Sequence, residues 1–244
     1  MRLRLLLAVS ALFSMSLSAA EPSLDASRQC ILVLAQDWSS TSGTLRLLER
    51  AAPGQAWHVA RGPAPVLLGR HGLAPGGAWP PAPAGLHKQE GDGRSPAGVF
   101  ALGTAFGFAP HATRVPFLMV KPDTVAVDDA RSQYYTRIVE TSAVPQPDWR
   151  SAERMRAIPH YRLGLAVEYN TVERVPAAGS CIFLHCFATP RKTTGGCTAM
   201  AEAELETLLQ WLDPAAHPRL VQLPLGSYEE LRGSWKMPAF SAVE

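Results

Sequence analysis

Glycine and proline interrupt this chain so often that long helices have little room. Short strands joined by turns are what it can build. The 244 residues include 19 glycines and 21 prolines, above the average usage of about 7% and 5%. Residues 74–85 (APGGAWPPAPAG) are the extreme. A stretch so rich in proline lacks the N–H donors of a central strand and reads as a loop. Short apolar runs lie between the turns. Residues 30–35 (CILVLA) read as a buried strand, and 44–49, 56–61 and 66–71 follow at close spacing as a meander. Residues 115–120, 165–169, 180–186 and 220–223 are further strands. Residues 140–163 are polar and arginine-rich and read as a long surface loop with at most one short helix.

One helix stands out. Within residues 201–212, Leu205, Leu208, Leu209 and Leu212 fall at i, i+3, i+4 and i+7 and form a single apolar stripe. Glu202, Glu204 and Glu206 load its first half with charge that suits the positive end of the helix dipole. Asp213-Pro214 stops it. The fold class is therefore mainly β, one domain with one main helix. A chain 47% hydrophobic and 18% charged can bury a core and is not a disordered tail. Its formal charge of +2 supplies no field for nucleic acid, so no nucleic-acid partner is expected.

Residues 1–20 read as a secretory signal peptide. Arg2 and Arg4 open it, an apolar stretch from Leu5 to Leu17 follows, and Ser18-Ala19-Ala20 supplies small residues for cleavage. The apolar stretch is shorter than the roughly 20 residues that cross a bilayer, and no later run is long enough to span. The expectation is a mature domain of residues 21–244, exported to the periplasm, with no membrane span after cleavage.

Four cysteines follow: Cys30, Cys181, Cys186 and Cys197. Export permits a Cys30–Cys181 or Cys30–Cys186 bridge, and simple burial of the thiols is the other reading. Cys197 stands apart because Thr193-Thr194-Gly195-Gly196-Cys197 leads directly toward the helix. A thiol at a helix N-terminus feels the positive dipole end, which lowers its pKa. The N–H groups of Gly195 and Gly196, with that of Cys197, make a candidate oxyanion site. Twelve residues upstream lies His185, on a strand where Cys181, Phe183 and His185 share one face and Cys186 points the other way. A returning loop would set imidazole beside thiol, the pairing of general base and nucleophile. The plain alternatives are a buried inert thiol and a structural histidine. Zinc is disfavoured, because the spacing lacks the paired short intervals of structural sites. No metal is expected.

These residues resemble the L,D-transpeptidase catalytic domain, a family of cysteine enzymes that cross-link peptidoglycan. The family signature is a histidine on a strand, a loop, then Ser/Thr-His-Gly-Cys, matched here by His185, Thr194, Gly196 and Cys197. Residues 91–100 (GDGRSPAGVF) are similar to its Gly-Asp-Gly-x-Thr-Pro-x-Gly-x-Phe segment, in the right order and at the right distance. The resemblance spans residues 30–225. It implies a curved β-sandwich, no metal or organic cofactor, and peptidoglycan stem peptides as partners. Cys197 would attack the third residue of a donor tetrapeptide, a meso-diamino acid, and expel D-Ala. His185, oriented by a backbone carbonyl, would be the base.

Two departures are visible. Gly195 stands where the larger branch has a second histidine, and the His185–Thr194 loop is shorter than usual. Thr194, His87, Arg94, Tyr169 and Arg191 are the candidate substrate-binding residues. His87 would compensate for Gly195 or belong to a solvated turn, and Tyr169 would line the cleft or pack in the core. Asp92 and Ser95-Pro96 read as turn formers. Trp38, Trp79 and Trp149 would stack on sugars or anchor loops. The expected function is a periplasmic L,D-transpeptidase. The alternatives are an L,D-carboxypeptidase or cross-link-cleaving hydrolase with the same site, and a silent wall-binding domain.

Overall fold

The computed structural model describes residues 23–240 apart from Ala78, Thr189 and Arg191. The export signal expected at residues 1–20 and the candidate residue Arg191 therefore lie outside the described residues. Among the described residues, no helix is long and apolar enough to cross a membrane.

Among the described residues, thirteen strands and two α-helices form in chain order: β1 Gln29–Ala35, β2 Ser42–Glu49, β3 His58–Leu67, β4 Leu73–Pro75, β5 Ser95–Gly107, β6 Phe117–Met119 and β7 Thr124–Ala126 come first. Then come β8 Ile138–Glu140, β9 Glu153–Arg154, β10 Leu163–Val167, β11 Phe183–Cys186, β12 Thr198–Met200, α1 Glu202–Trp211, β13 Arg219–Pro224 and α2 Leu225–Trp235. The molecule is mainly β, as the punctuated sequence implied. Its large sheet runs β10-β11-β12-β3-β2-β1-β13-β5, and β10 pairs back onto β5, so the hydrogen bonding closes on itself. Closure depends on the length of β5. Gly98–Ala101 pairs with β13, and Leu102–Gly107 then changes partner to β10. A separate three-stranded sheet, β8-β7-β9, stands beside it.

β1 explains its own sequence. Ile31, Val33 and Ala35 face a core shared with α1, while Cys30, Leu32 and Leu34 face a second core capped by α2. A strand covered on both faces shows a continuous apolar run without alternation. Cys30 is a free thiol in this second core, and all four cysteines are free, so neither bridge forms.

Three expectations need correction. Residues 56–61 and 66–71 are not two strands: one strand, β3, runs through Gly62-Pro63. It tolerates the prolines because ahead of Leu67, its point of pairing with β12, its second edge is exposed and needs no ladder N–H. A second helix, α2, was not legible, since glycine and serine dilute its apolar face. Its Tyr228 and Trp235 are nevertheless buried against the second core. Residues 140–163 are also no plain surface loop. They hold β9 and three short 3-10 turns, of which two bury Met155 and Tyr161.

The three tryptophans anchor loops: Trp79 packs on Trp235 at 5.7 Å, Trp149 packs on Tyr134 at 5.4 Å, and Trp38 packs on the first core.

The leucine stripe of α1 lies where its spacing put it, with Leu205, Leu208, Leu209 and Leu212 all fully buried. Leu208→Ala leaves a cavity under the helix and is expected to lower unfolding free energy by about 2–5 kcal/mol, read by urea denaturation.

Candidate functional site

β11 and β12 run parallel, joined by the segment that carries Thr194 to Cys197. Alternation along β11 points Phe183 and His185 to one side, while Cys186 turns into the core beneath α1. Cys181 departs from the expected pattern. It lies before the strand with φ +52°, and its thiol donates to Val127 O at 3.4 Å. Cys197 immediately precedes β12, and the helix begins only after Ala201. The three-residue strand between them removes Cys197 from the helix N-terminus, so the dipole does not set its acidity.

The turn holding Cys197 is braced from both sides. The Thr194 hydroxyl donates to Cys197 O at 2.5 Å and accepts from Gly196 N at 3.1 Å. Gly196 has φ +151°, and a Cβ there would lie 3.0 Å from Arg94 O, so the position is closed to side chains. From the other side Ser95, fully buried at the start of β5, donates its hydroxyl to Cys197 O at 2.9 Å and accepts from Gly69 N at 2.9 Å. The two sequence motifs thus touch through one hydroxyl. Asp92 builds the turn before Ser95, accepting at 2.8 Å from Lys88 Nζ, Gln89 N and Arg94 N.

Cys197 and His185 line one cleft of about 410 Å³. His185 is 4% exposed, and its Nδ1 lies 2.7 Å from Cys186 O. A carbonyl only accepts, so Nδ1 carries the proton and Nε2 is left as the basic nitrogen. The ring packs against both His160 at 4.8 Å and Tyr161 at 5.5 Å. Burial, with the charges of His160 and Arg162, brings its pKa down to about 4 against the help of the Cys186 carbonyl. Cys197 Sγ accepts from Phe183 N at 3.3 Å and donates to Cys181 O at 3.5 Å. Burial first, and then the Glu153 carboxylate, push its thiol up to about 12. The resting site holds a neutral thiol and a neutral imidazole with no hydrogen bond between them. Nucleophilic reaction of Cys197 needs thiolate. Its alkylation by iodoacetamide is therefore expected to rise about tenfold per pH unit from pH 7 to 9, followed by peptide mass spectrometry. A plateau in that range would show a preformed ion pair.

Cys197 packs in a buried aromatic cluster. Phe106 packs on Phe183 at 5.1 Å and Tyr161 at 5.8 Å, over Gly164, where a Cβ would meet its ring at 2.2 Å. The Tyr161 hydroxyl, close to the Cys197 sulfur, donates to Glu153 Oε2 at 2.7 Å. Glu153 is itself raised by burial, with Asp128 and Glu90 adding like charge.

The other candidates divide. Thr194, Gly195 and Gly196 line the cleft, but the Gly196 N–H is already given to Thr194 and is not a free oxyanion donor. Both hydrogen-bonding roles of the Thr194 hydroxyl are likewise used inside the turn, so it positions Cys197 and does not reach for a substrate. His87 and Tyr169 line a neighbouring cleft of about 500 Å³. His87 bonds there to Gly85 O and the Gln89 side chain, so it does not replace the histidine absent at Gly195. Tyr169 donates to Ala178 O and meets Phe100 edge-on. Arg94 turns away onto the carbonyls of His71 and Leu73 and lines neither cleft. Sequence reading missed Asp128, Glu153, His160 and Tyr161. The buried aromatic beside a proline in Pro159-His160-Tyr161 was the one local signal that residues 140–163 pack inward.

No protein-family model matches the sequence, and no curated protein matches it. Among solved structures the chain is similar to the helical cell shape determining protein Pgp2 from Campylobacter jejuni. The identity is 14% and the TM-score 0.40, over 81% of this chain and 48% of that one. The chain thus spans about half the length of that protein.

Proposed function

We propose that the protein is a periplasmic L,D-transpeptidase acting on peptidoglycan stem peptides, with Cys197 as nucleophile and His185 as general base. The closed β circuit is, on this reading, the family's catalytic domain. The observation that carries it is the Ser95–Cys197 hydrogen bond. It links motifs 102 residues apart and sets the thiol in the same cleft as His185. The carbonyl-oriented histidine supports the same reading, because it leaves Nε2 free to accept a proton.

The chemistry follows from the resting protonation states. With thiol near 12 and imidazole near 4, free proton transfer between them is strongly uphill. Transfer is therefore coupled to bond formation. His185 Nε2 takes the thiol proton as Sγ adds to the carbonyl carbon of the donor's third residue. The Phe183 N–H, already on the sulfur, stabilises charge there. The amides of Gly195 and Cys197 receive the oxyanion, since that of Gly196 is committed. Collapse breaks the carbon–nitrogen bond to D-Ala, whose amine leaves with the proton from His185. The amine of a second stem peptide then attacks the thioester, gives its proton to His185, and the proton returns to the thiol.

Incubation with disaccharide-tetrapeptide, followed by mass spectrometry, tests the reading. The expected products are a cross-linked dimer and free D-Ala. Tripeptide without dimer would make the enzyme a hydrolase with the same site. No product of either kind overturns both.

A further inference from the structure

One wall of the cleft carries more negative charge than it can satisfy. Glu90, Asp128 and Glu153 all line it, and Asp128 and Glu90 act on Glu153 as like charges. Two of the three have phenol partners: Tyr135 donates to Glu90 at 2.5 Å and Tyr161 to Glu153 at 2.7 Å. Asp128 has none, and its Oδ1 is buried without a hydrogen bond. Ser180 lines the same wall at 8% exposure, and its hydroxyl oxygen is also unpartnered. The Tyr135 phenol and the Cys181 thiol lie near that hydroxyl without completing a hydrogen bond.

The cations of the cleft do not answer this wall. Lys88 gives its ammonium to Asp92 Oδ1 at 2.8 Å and Gln89 O at 2.6 Å. Arg70 is directed to Gly91 O at 3.2 Å, beside Gly195, and Lys192 is exposed in the segment leading to Thr194. Buried acceptors without donors are costly, so the wall is shaped for a group that arrives with the substrate. Among the described residues, no three His, Cys, Asp or Glu side chains converge as metal ligands. A spread of single acceptors suits a group that brings three N–H donors of its own.

We propose that Asp128, Ser180 and their acidic neighbours Glu90 and Glu153 form a binding site for a primary ammonium of the substrate. Taken with the function proposed above, on which this assignment of the amine rests, the ammonium is that of the diamino acid at the third position of the donor peptide. The wall then holds the side chain of the residue whose carbonyl Cys197 attacks, and so sets the register of attack.

The first test needs no wall peptide. Cys197 is modified with the cationic 2-aminoethyl methanethiosulfonate and with the anionic 2-sulfonatoethyl reagent. Rates are read at Cys197 by peptide mass spectrometry and corrected for each reagent's rate with a free thiol. The cation is expected to react about tenfold faster or more, and Asp128→Asn to cut that ratio by at least about threefold. A ratio that Asp128→Asn leaves unchanged overturns the site. If this variant does not fold, Ser180→Ala is read in its place.

The second test uses calorimetry on Cys197→Ala protein, with the meso-diaminopimelate tetrapeptide and the same peptide acetylated on its side-chain amine. Acetylation is expected to weaken binding about tenfold or more, and Asp128→Asn to weaken only the free-amine peptide. Equal binding of the two peptides overturns the assignment of the amine. Binding of neither, with the reagent preference intact, overturns the wall-peptide reading and leaves the ammonium site standing.

Discussion

Cys197→Ala is expected to lower D-Ala release from disaccharide-tetrapeptide by on the order of 10⁴-fold or more, because the proposed acyl intermediate is carried on its sulfur. Among the described residues, Cys181 is the other thiol lining the cleft. It is bonded to Val127 O, and burial beside Glu153 raises its pKa well above the ordinary value. The same substitution leaves the Phe183 N–H without its sulfur acceptor, at a stability cost of about 1–3 kcal/mol. Thermal denaturation should therefore move by a few degrees while cooperative unfolding persists. Loss of activity with the fold retained is the signature of a nucleophile. Undiminished release would remove Cys197 from the chemistry altogether.

The elements that were legible in sequence are those whose environment is written locally. β1 announces its two buried faces in an unbroken apolar run, and α1 announces one core in four leucines. α2 buries Tyr228 and Trp235 alone, and Gly226, Ser227, Gly233 and Ser234 blur its periodicity. β3 was cut in two because Gly62-Pro63 is a turn signal unless the strand lacks a neighbour on that edge, and the neighbour is a long-range fact. The site divides in the same way. Cys197 and His185 lie 12 residues apart around one loop and carry a recognisable pattern. Asp128, Glu153 and Tyr161 reach the cleft only through the packing of residues 140–163 and the small β8-β7-β9 sheet. Nothing in a run of mixed charge says which carboxylate will be buried. The acidity of Cys197 was misjudged for a related reason: β12 separates it from the helix, and burial then governs the thiol.

His185→Ala separates the two jobs a histidine can do beside a cysteine. If His185 held a resting thiolate, its loss would slow alkylation and turnover together. The hydrogen bonds describe another arrangement. The sulfur is held by Phe183 N and Cys181 O, and its protonation is set by burial and Glu153. His185 is bonded to Cys186 O and packs against His160, tilted, and Tyr161, edge-on. Turnover is therefore expected to fall about 10²–10⁴-fold, the usual contribution of a general base. Iodoacetamide alkylation at neutral pH should change by no more than about twofold, because the thiolate population does not depend on the ring. The pH profile gives the sign independently. A base must be neutral to act, and burial keeps His185 neutral down to about 4. The acid limb of kcat/KM should accordingly lie near pH 4, well below the ordinary histidine range, and should vanish in the variant. An acid limb near 6.5, or a parallel loss of alkylation, would mean that the thiol and imidazole are paired before the substrate arrives.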